Sequence, residues 1–494
     1  MSRTFAAVDL GAQSGRVAVG RFDGEQLTVE EVHRFPNVPV ERGGRLEWDV
    51  SRLRKDVEDG LRKAARDTEI DSVAVDSWAV DFGLLDDAKR LIRNPVHYRD
   101  RRRLAAFDGV LEQISRRELY ERTAIQLLPI NTIFELAAMV AEDDRALADA
   151  HRLLLIPDLF HHWLCGSETT ELTNASTTQC YDPHARGWAL DLLERLGIPT
   201  ALLPDVVAPG TRIGVVDSAD HGLAGAAVVA TATHDTAAAV AAAPLRGEQS
   251  VFLSVGTWSL VGVESEQPVV TEAAFRANVT NESGVGGTFR VLRNLTGLWL
   301  LHECRRVWAD AGRSYEFADL VELARAAPEH GSLIDPNAER FLEPGDLPGR
   351  IAAYCDESGQ KPPRDDGAFV RCILESIALK HAETVELLSR VTGRELDDLH
   401  VLGGGAHNDL LCAWTAAAAQ RPVIAGPAEA TLVGNLLVQA LALGEIASHR
   451  EGRELVRRSF VPSTYEPAAD GYWDEARGRF ATLNGTPADL EVCA

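Results

Sequence analysis

The feature that most constrains this chain is a strand-turn-strand plan that occurs twice, about half the sequence apart. In the first copy the apolar, β-branched stretch Thr4 to Leu10 runs into Asp9-Leu-Gly-Ala-Gln-Ser-Gly-Arg16, and VAVGRF then alternates back as a second strand. In the second copy, SVFLSVGTWSLVGVE places a Gly256-Thr257 turn between two apolar runs. A hairpin repeated at half-length implies two similar domains made by duplication, a period longer than that of any solenoid. Two such halves would face each other across a cleft. The boundary is expected between Ala243 and Ser250, where Pro244 and Gly247 interrupt an alanine-rich stretch, giving domains 1–245 and 246–494.

Within each half, apolar strands alternate with helical patterns, as in IDSVAVDSWAVDFGLLD, where a strand from Ser72 to Val75 precedes a polar turn, so mixed α/β sheets follow. The segment Cys372 to Val391 carries Ile373, Ile377, Leu387, Leu388 and Val391 near helical spacing, with Gly393 as the stop. It predicts a core helix without chemistry. The stretch Pro328 to Gly349, rich in Pro, Gly and acids, reads as a surface loop.

Charge narrows the partners. A net charge of −24 argues against nucleic acid or an anionic membrane as the main partner, yet leaves room for a nucleotide held by backbone amides, a few basic groups and a cation. The seven cysteines are scattered without Cys-x-x-Cys spacing and read as mostly buried thiols in a reducing compartment. The opening residues lack a signal-peptide core, no apolar run is long enough to span a bilayer, and a cytoplasmic protein is expected. The glycosylation-like triplets at Asn174, Asn278, Asn281 and Asn294 are then accidental.

Five segments could carry chemistry. In the first turn, Gly11 and Gly15 allow backbone amides to approach an anion, Ser14 and Arg16 add a hydroxyl and a charge, and Asp9 at the strand end could hold magnesium. The alternative is a plain glycine-rich turn. In the second turn Thr257 pairs amides with a hydroxyl but brings no charge, so the two copies suit one nucleotide gripped from two sides. Leu402-Gly-Gly-Gly-Ala-His-Asn408 follows a strand and precedes a helix near Asp409, an arrangement that brings bare backbone and a helix N-terminus to a ligand. No P-loop motif is present.

Thr233-His-Asp-Thr236 lies between the strand GAAVVATA and an alanine-rich helix, and Asp235 there is either a helix N-cap or a general base for a hydroxyl attacking a γ-phosphate. Asp76-Ser-Trp-Ala-Val-Asp-Phe82 offers two carboxylates and an indole, suited to a polyol, with turn and cap roles as the alternative for Asp76 and Asp81. His161-His162, His302-Glu303 and Arg101-Arg102-Arg103 read as solvated or capping residues.

Together with HRFPN, LEWDV, VHYRD, LLPINTIFEL, LTNASTTQ, NVTNESG, RNLTGLWLL, DPNAERF and IAGP, these segments resemble, in order and spacing, the FGGY family of carbohydrate kinases. The resemblance implies two actin-like, ribonuclease H-like α/β domains with an active-site cleft between them, ATP and Mg2+, and a sugar substrate. Within the family the pattern is most similar to members that phosphorylate L-rhamnulose at its 1-hydroxyl, with L-fuculose, xylulose or glycerol as the alternatives. From a different class, a non-catalytic actin- or chaperone-like ATPase would share the hairpins but leave the Thr233–Thr236 segment without a purpose. By the resemblance, Asp235 is the proton acceptor, and Ala79, His234, Thr236 and Asn294 meet the sugar. Ala12, Gln13, Ser14, Gly15, Arg16, Thr257, His302 and Gly404 meet ATP, while Asp81 on the sugar and Asp9 on the metal rest on the turn chemistry above. The chain departs from the family pattern twice, with Ala79 where that pattern has Gly and His302 where it has Gln.

Overall fold

The computed structural model describes residues 2–217, 222–468 and 471–483 and forms two compact units. Unit 1 holds the chain up to Pro244 together with Glu264–Val291 and Glu429–Phe460, and unit 2 holds Leu245–Val263, Leu292–Ala428 and the chain from Val461. Cys180, Cys304, Cys355, Cys372 and Cys412 are buried free thiols and Cys165 is half-buried; Cys493 lies outside the described residues. Among the described residues no helix is long and apolar enough to cross a membrane.

Unit 1 is built on a six-stranded sheet of Arg3–Leu10 (β1), Ser14–Phe22 (β2), Leu27–Pro36 (β3), Ser72–Ser77 (β4), Thr211–Val215 (β5) and Ala227–Ala230 (β6). Its order is β5-β6-β4-β1-β2-β3, with β1 antiparallel to β2 and parallel to β4. The middle strands are buried on both faces, as their continuous apolar runs require: Phe5, Ala6, Ala7 and Val8 are fully buried, as are Val73, Ala74 and Val75. Between β4 and β5 a helical insertion packs its own core from Phe82, Val110, Ile133, Phe134, Leu153 and Leu192.

Unit 2 repeats the plan. Ser250–Val255 (β7), Trp258–Ser265 (β8), Phe289–Thr296 (β9), Asp398–Leu402 (β10), Val423–Ala425 (β11) and Ser463–Tyr465 (β12) stand in the order β9-β8-β7-β10-β11-β12, and the short strand Thr280–Ser283 adds a seventh member beyond β9. Strand β7 is antiparallel to β8 and parallel to β10, matching β1 with β2 and β4. Starting from β3 in one sheet and from β9, which lies inside the edge strand Thr280–Ser283, in the other, the labelled strands run third, second, first, fourth in both. The duplicated hairpins therefore open two copies of one topology.

The helix predicted over 372–391 is observed as Asp366–Thr392, capped at its start by Asp365, which accepts from the Ala368 amide at 2.9 Å, and at its end by Gly393 with φ 68°. The extra first turn contains Gly367, where a Cβ would come within 2.8 Å of the Leu323 carbonyl oxygen, so a helix-weakening residue marks a close helix crossing. Two expectations need correction. Residues 328–349 are not simply surface loop, because Leu333, Ile334 and Phe341 are buried and the Ile334 amide donates to Ser376 Oγ at 3.0 Å. His161 is not solvated either: it is buried, and its Nε2 accepts the Val75 amide of β4 at 3.1 Å, with burial pulling its pKa down to about 3.

The helix Ala430–Ala442 closes unit 1 from late in the sequence. Gln439 donates to the Ala6 carbonyl at 3.0 Å and accepts from Ser72 Oγ at 2.6 Å, while a Cβ on Gly434 would overlap the Ala238 carbonyl.

Candidate active site

The ends of β1 and β4 bring three carboxylates of unit 1 into mutual influence. Asp9 pairs across the hairpin with Arg16 and, in the parallel register, with Asp76. A parallel bridge joins Ser77 to His234, and the Ser77 amide donates to the Thr233 carbonyl at 2.9 Å, which sets the Thr233–Thr236 segment beside the end of β4. Asp76 is buried; one carboxylate oxygen accepts from Asn435 Nδ2 at 2.6 Å and the other, Oδ1, has no partner. Burial, then the charges of Asp9 and Asp235, push the Asp76 pKa well above the ordinary carboxylate value, while Asn435 works against them.

Asp235 is the first residue of the helix Asp235–Ala241, whose N-cap is His234 and which makes no side-chain cap bond. The N-cap position therefore belongs to His234, and Asp235 stands one residue inside, in the first turn. Thr236 Oγ1 donates to Asp235 Oδ1 at 3.1 Å and His234 Nε2 lies 3.4 Å from the same oxygen, while the Asp235 side chain keeps 31% of its surface exposed. Loss of solvent raises its pKa, His234 opposes the rise, and Asp9 adds to it.

A buried acid that the sequence does not flag holds this segment in place. Glu171 accepts from the Thr173 amide at 2.8 Å, the Thr233 amide at 2.9 Å and Thr233 Oγ1 at 3.0 Å, and Thr173 Oγ1 accepts from the His234 amide at 3.3 Å. Glu171 abuts LTNASTTQ in sequence, but nothing in its periodicity points across to Thr233.

Asp81 has a different setting. It is buried, its Oδ2 accepts from Trp48 Nε1 at 2.6 Å, Trp78 Nε1 at 3.0 Å and the Tyr98 amide at 3.2 Å, and its Oδ1 accepts from Arg103 at 2.6 Å. Arg103, expected to be solvated, is instead fully buried and also reaches Glu135 at 3.3 Å; Arg102 pairs with Asp100 and Glu135. The run Arg101-Arg102-Arg103 looks like surface because the carboxylates that bury Arg103, Asp81 and Glu135, lie elsewhere in the chain. Asp81 thus organises the close, mutually tilted rings of Trp48 and Trp78, whose centroids are 4.2 Å apart, with both of its oxygens engaged by the protein. Ala79 is half-buried beside this cluster, and Val80 takes φ 69° in a tight turn closed by the Asp81 amide on the Ala79 carbonyl at 3.0 Å. A β-branched residue with positive φ is strained, and the Thr132 hydroxyl on the Val80 carbonyl at 2.7 Å helps hold it there.

In the first hairpin turn the Gly11 amide bonds to the Ser14 carbonyl at 3.0 Å, Gln13 is exposed, Ala12 and Ser14 are half-buried, and a Cβ on Gly15 would overlap the Phe35 ring. Arg16 is ion-paired to Asp9 and Glu429; burial alone would lower its pKa, and the two carboxylates override that and raise it. Among the described residues no group of three metal-ligating side chains stands close enough to hold an ion. That donor set still fits magnesium brought by a nucleotide, which needs one or two protein carboxylates besides phosphate and water. Asp9 beside the partnerless Oδ1 of Asp76 offers such donors.

In unit 2 the Gly256-Thr257 turn is stapled to the start of the helix Trp299–Asp310. The Leu298 amide donates to the Gly256 carbonyl at 2.8 Å, and the Gly297 and Trp299 amides both donate to the Thr257 carbonyl at 3.2 Å. Gly297 is required there, since a Cβ would meet Trp258 and Gly256 backbone at 2.6–2.8 Å. His302, in the next turn of that helix, is half-buried edge-on to Phe317, and burial lowers its pKa to about 4. Glu303 is buried and paired with Arg306 at 2.7 Å, not solvated. In the glycine triplet, Gly403 has φ 74° and a Cβ on Gly405 would overlap Val255, while Gly404 is exposed with open space around it. Thr257 and the triplet thus meet at the end of β7, and the helix that carries His302 starts against the Thr257 turn; Asn294 lies half-buried on β9.

Profiles of the FGGY family of carbohydrate kinases match nearly the whole chain, the N-terminal domain over residues 4–242 and the C-terminal domain over 251–443. The chain is 40% identical to the rhamnulokinase of Bacteroides thetaiotaomicron over 480 residues, covering 96% of this chain and 98% of that protein. It is 39% identical to the rhamnulokinase of Enterococcus faecalis, covering 94% of each. The fold is similar to that of a ligand-bound xylulose kinase from Lactobacillus acidophilus, with a TM-score of 0.78 at 14% identity over 97% of this chain and 96% of that one. It is also similar to Plasmodium falciparum glycerol kinase with ADP, with a TM-score of 0.76 at 14% identity over 97% and 96%. By its two domain profiles and its relatives along almost their full length, the chain belongs to the FGGY family of carbohydrate kinases.

Proposed function

We propose that the chain transfers the γ-phosphoryl group of ATP to the 1-hydroxyl of L-rhamnulose, with Asp235 as general base. The observation that carries this reading is the state of Asp235: Thr236 and His234 sit on Oδ1, which makes Oδ2 the atom to take the proton, and the side chain is partly open to solvent. As the sugar oxygen attacks phosphorus, Oδ2 receives its proton, the bond to the bridging oxygen breaks, and ADP leaves. The raised pKa strengthens the carboxylate as a base.

ATP contacts at Ala12, Gln13, Ser14, Gly15, Arg16, Thr257, His302 and Gly404 belong to this reading. Gly404 is the member of its triplet that the fold itself does not require, which suits close passage of a ligand. Arg16, engaged by Asp9 and Glu429, orders the turn more than it offers a free cation. Asp9 would hold Mg2+, which when bound neutralises phosphate charge. His234, Thr236, Ala79 and Asn294 would meet the sugar, with Asp81 acting through the Trp78 indole it holds. We assign residues 1–245 to the sugar and phosphate side and 246–494 to the nucleotide side. The free thiols suit the cytoplasm.

The test is kcat/KM by ADP release on L-rhamnulose, L-fuculose, L- and D-xylulose and glycerol. L-rhamnulose is expected to lead. Another sugar ahead by about tenfold, within the 10- to 200-fold range that one methylene commands, would overturn the substrate. ADP release indifferent to every sugar would overturn the kinase reading itself.

A further inference from the structure

Behind His234, on the side away from Asp235, lies a buried ion pair that the phosphoryl-transfer reading leaves without a task. Glu282, on the strand Thr280–Ser283, and Arg290, on β9, are both buried, and their charged ends meet at 3.1 Å. Arg290 Nε donates to the Ser283 carbonyl at 3.1 Å, its NH2 lies 3.1 Å from His234 Nδ1, and its NH1 has no partner. Glu282 Oε2 is 3.3 Å from the same Nδ1. Burying two charges with one guanidinium nitrogen left unbonded is costly, and a well-packed apolar pair is often as stable or more so. Stability alone is therefore a poor reason for this pair.

The imidazole supplies a better one. An arginine nitrogen can only donate, so Arg290 NH2 facing Nδ1 at 3.1 Å requires a lone pair on Nδ1. The ring proton then sits on Nε2, which lies 3.4 Å from Asp235 Oδ1. The opposite tautomer could satisfy Glu282 through Nδ1–H, but it would set two donors against each other at one end of the ring and two lone pairs at the other.

We propose that Glu282 and Arg290 are positioning residues for the phosphoryl transfer: they fix His234 as the Nε2–H tautomer, which turns its proton toward Asp235 Oδ1 and directs Oδ2 to the sugar hydroxyl. Glu282 holds the guanidinium in place, Arg290 sets the tautomer, and His234 carries the orientation to the base. The inference rests on Asp235 being the base, and its test separates the two claims.

Full-length protein with 15N-labelled histidine is examined by long-range 1H–15N correlation, the His234 signals being those lost in His234→Gln. The expected result in the unmutated protein is a proton on Nε2 and none on Nδ1. A proton on Nδ1 overturns the proposal whatever the kinetics. In the double variant Glu282→Leu/Arg290→Met, which keeps the site apolar, the tautomers should mix and kcat should fall about 10- to 100-fold, the scale for groups that orient a functional side chain from behind, with KM for ATP unchanged. An unmixed tautomer, or kcat within about twofold of the parent, also overturns it. If the double variant does not fold, the unmutated spectrum still decides. Loss of the base reading shows separately, as normal turnover in Asp235→Asn alongside an intact Nε2–H signal.

Discussion

Asp81 and Asp235 are both carboxylates of unit 1 that sequence alone leaves between chemistry and local structure, Asp81 as a polyol ligand or a turn residue and Asp235 as a general base or a helix cap. In the folded chain they diverge. Asp81 is 1% exposed and both its oxygens are taken by Trp48, Trp78, Tyr98 and Arg103, whereas Asp235 has its donors gathered on one oxygen and a side chain 31% exposed. A carboxylate whose acceptor positions are all filled cannot also take a proton from a substrate without losing a partner. What distinguishes scaffold from chemistry is the direction of the donors, not the residue type.

The comparison breaks most sharply at Asp235→Asn. That change keeps size and the Thr236 contact but removes the basic oxygen, and kcat should fall by roughly two to four powers of ten with the thermal midpoint unmoved. Near-normal turnover would put Asp235 in the same class as Asp81. Arg103→Met tests the other side. It strands buried charge on Asp81 and Glu135 and should cost about 3 to 5 kcal/mol in urea unfolding. An Arg103→Met protein of full stability with a raised KM for sugar would make Asp81 a ligand residue after all.

The acid limb of the pH profile sharpens the same distinction. Because the Asp235 pKa is raised, the base is lost by protonation as pH falls through a value above the ordinary aspartate figure of about 3.9, and kcat/KM should drop about tenfold per pH unit below it. An acid limb lying at or under the ordinary value would remove Asp235 from that role. The smallest effect is expected at Ala79→Gly. The methyl lies beside the Asp81 cluster and ahead of the strained Val80, and removing it should change kcat/KM for L-rhamnulose by no more than about 10-fold, the low end for one methylene. A larger gain, or a switch of preferred sugar, would show that the methyl shapes the pocket.

What was legible in the sequence was local. Both hairpins, the stop at Gly393 and the strand-to-helix junction at Thr233–Thr236 depend on residues adjacent to one another, so spacing and turn chemistry reveal them. The start of the long helix was missed because Gly367 weakens its first turn, and the reason for that glycine is a carbonyl on another helix. The same holds for the site. Glu171 on Thr233, Asn435 on Asp76 and Arg290 on His234 join residues dozens to hundreds of positions apart, and no periodicity records such a pairing. Arg103 looked solvated for the same reason, since its partner Asp81 lies outside the basic run.

The late helix Ala430–Ala442 also sets a schedule for synthesis. The polar groups it satisfies on β1 and β4, at Ala6, Ser72 and Asp76, belong to the first strands to leave the ribosome, yet Asn435 and Gln439 emerge only after nearly all of unit 2 has been made. At roughly 5 to 20 residues per second the nascent N-terminal strands wait on the order of ten seconds or longer for the side chains that complete them. A chain stopped at Pro244 would carry a finished hairpin and an unfinished sheet face, with the Asp76 carboxylate deprived of its Asn435 donor. Vectorial folding, in which the first domain is complete before the second begins, is therefore closed to this architecture, and the two units mature together.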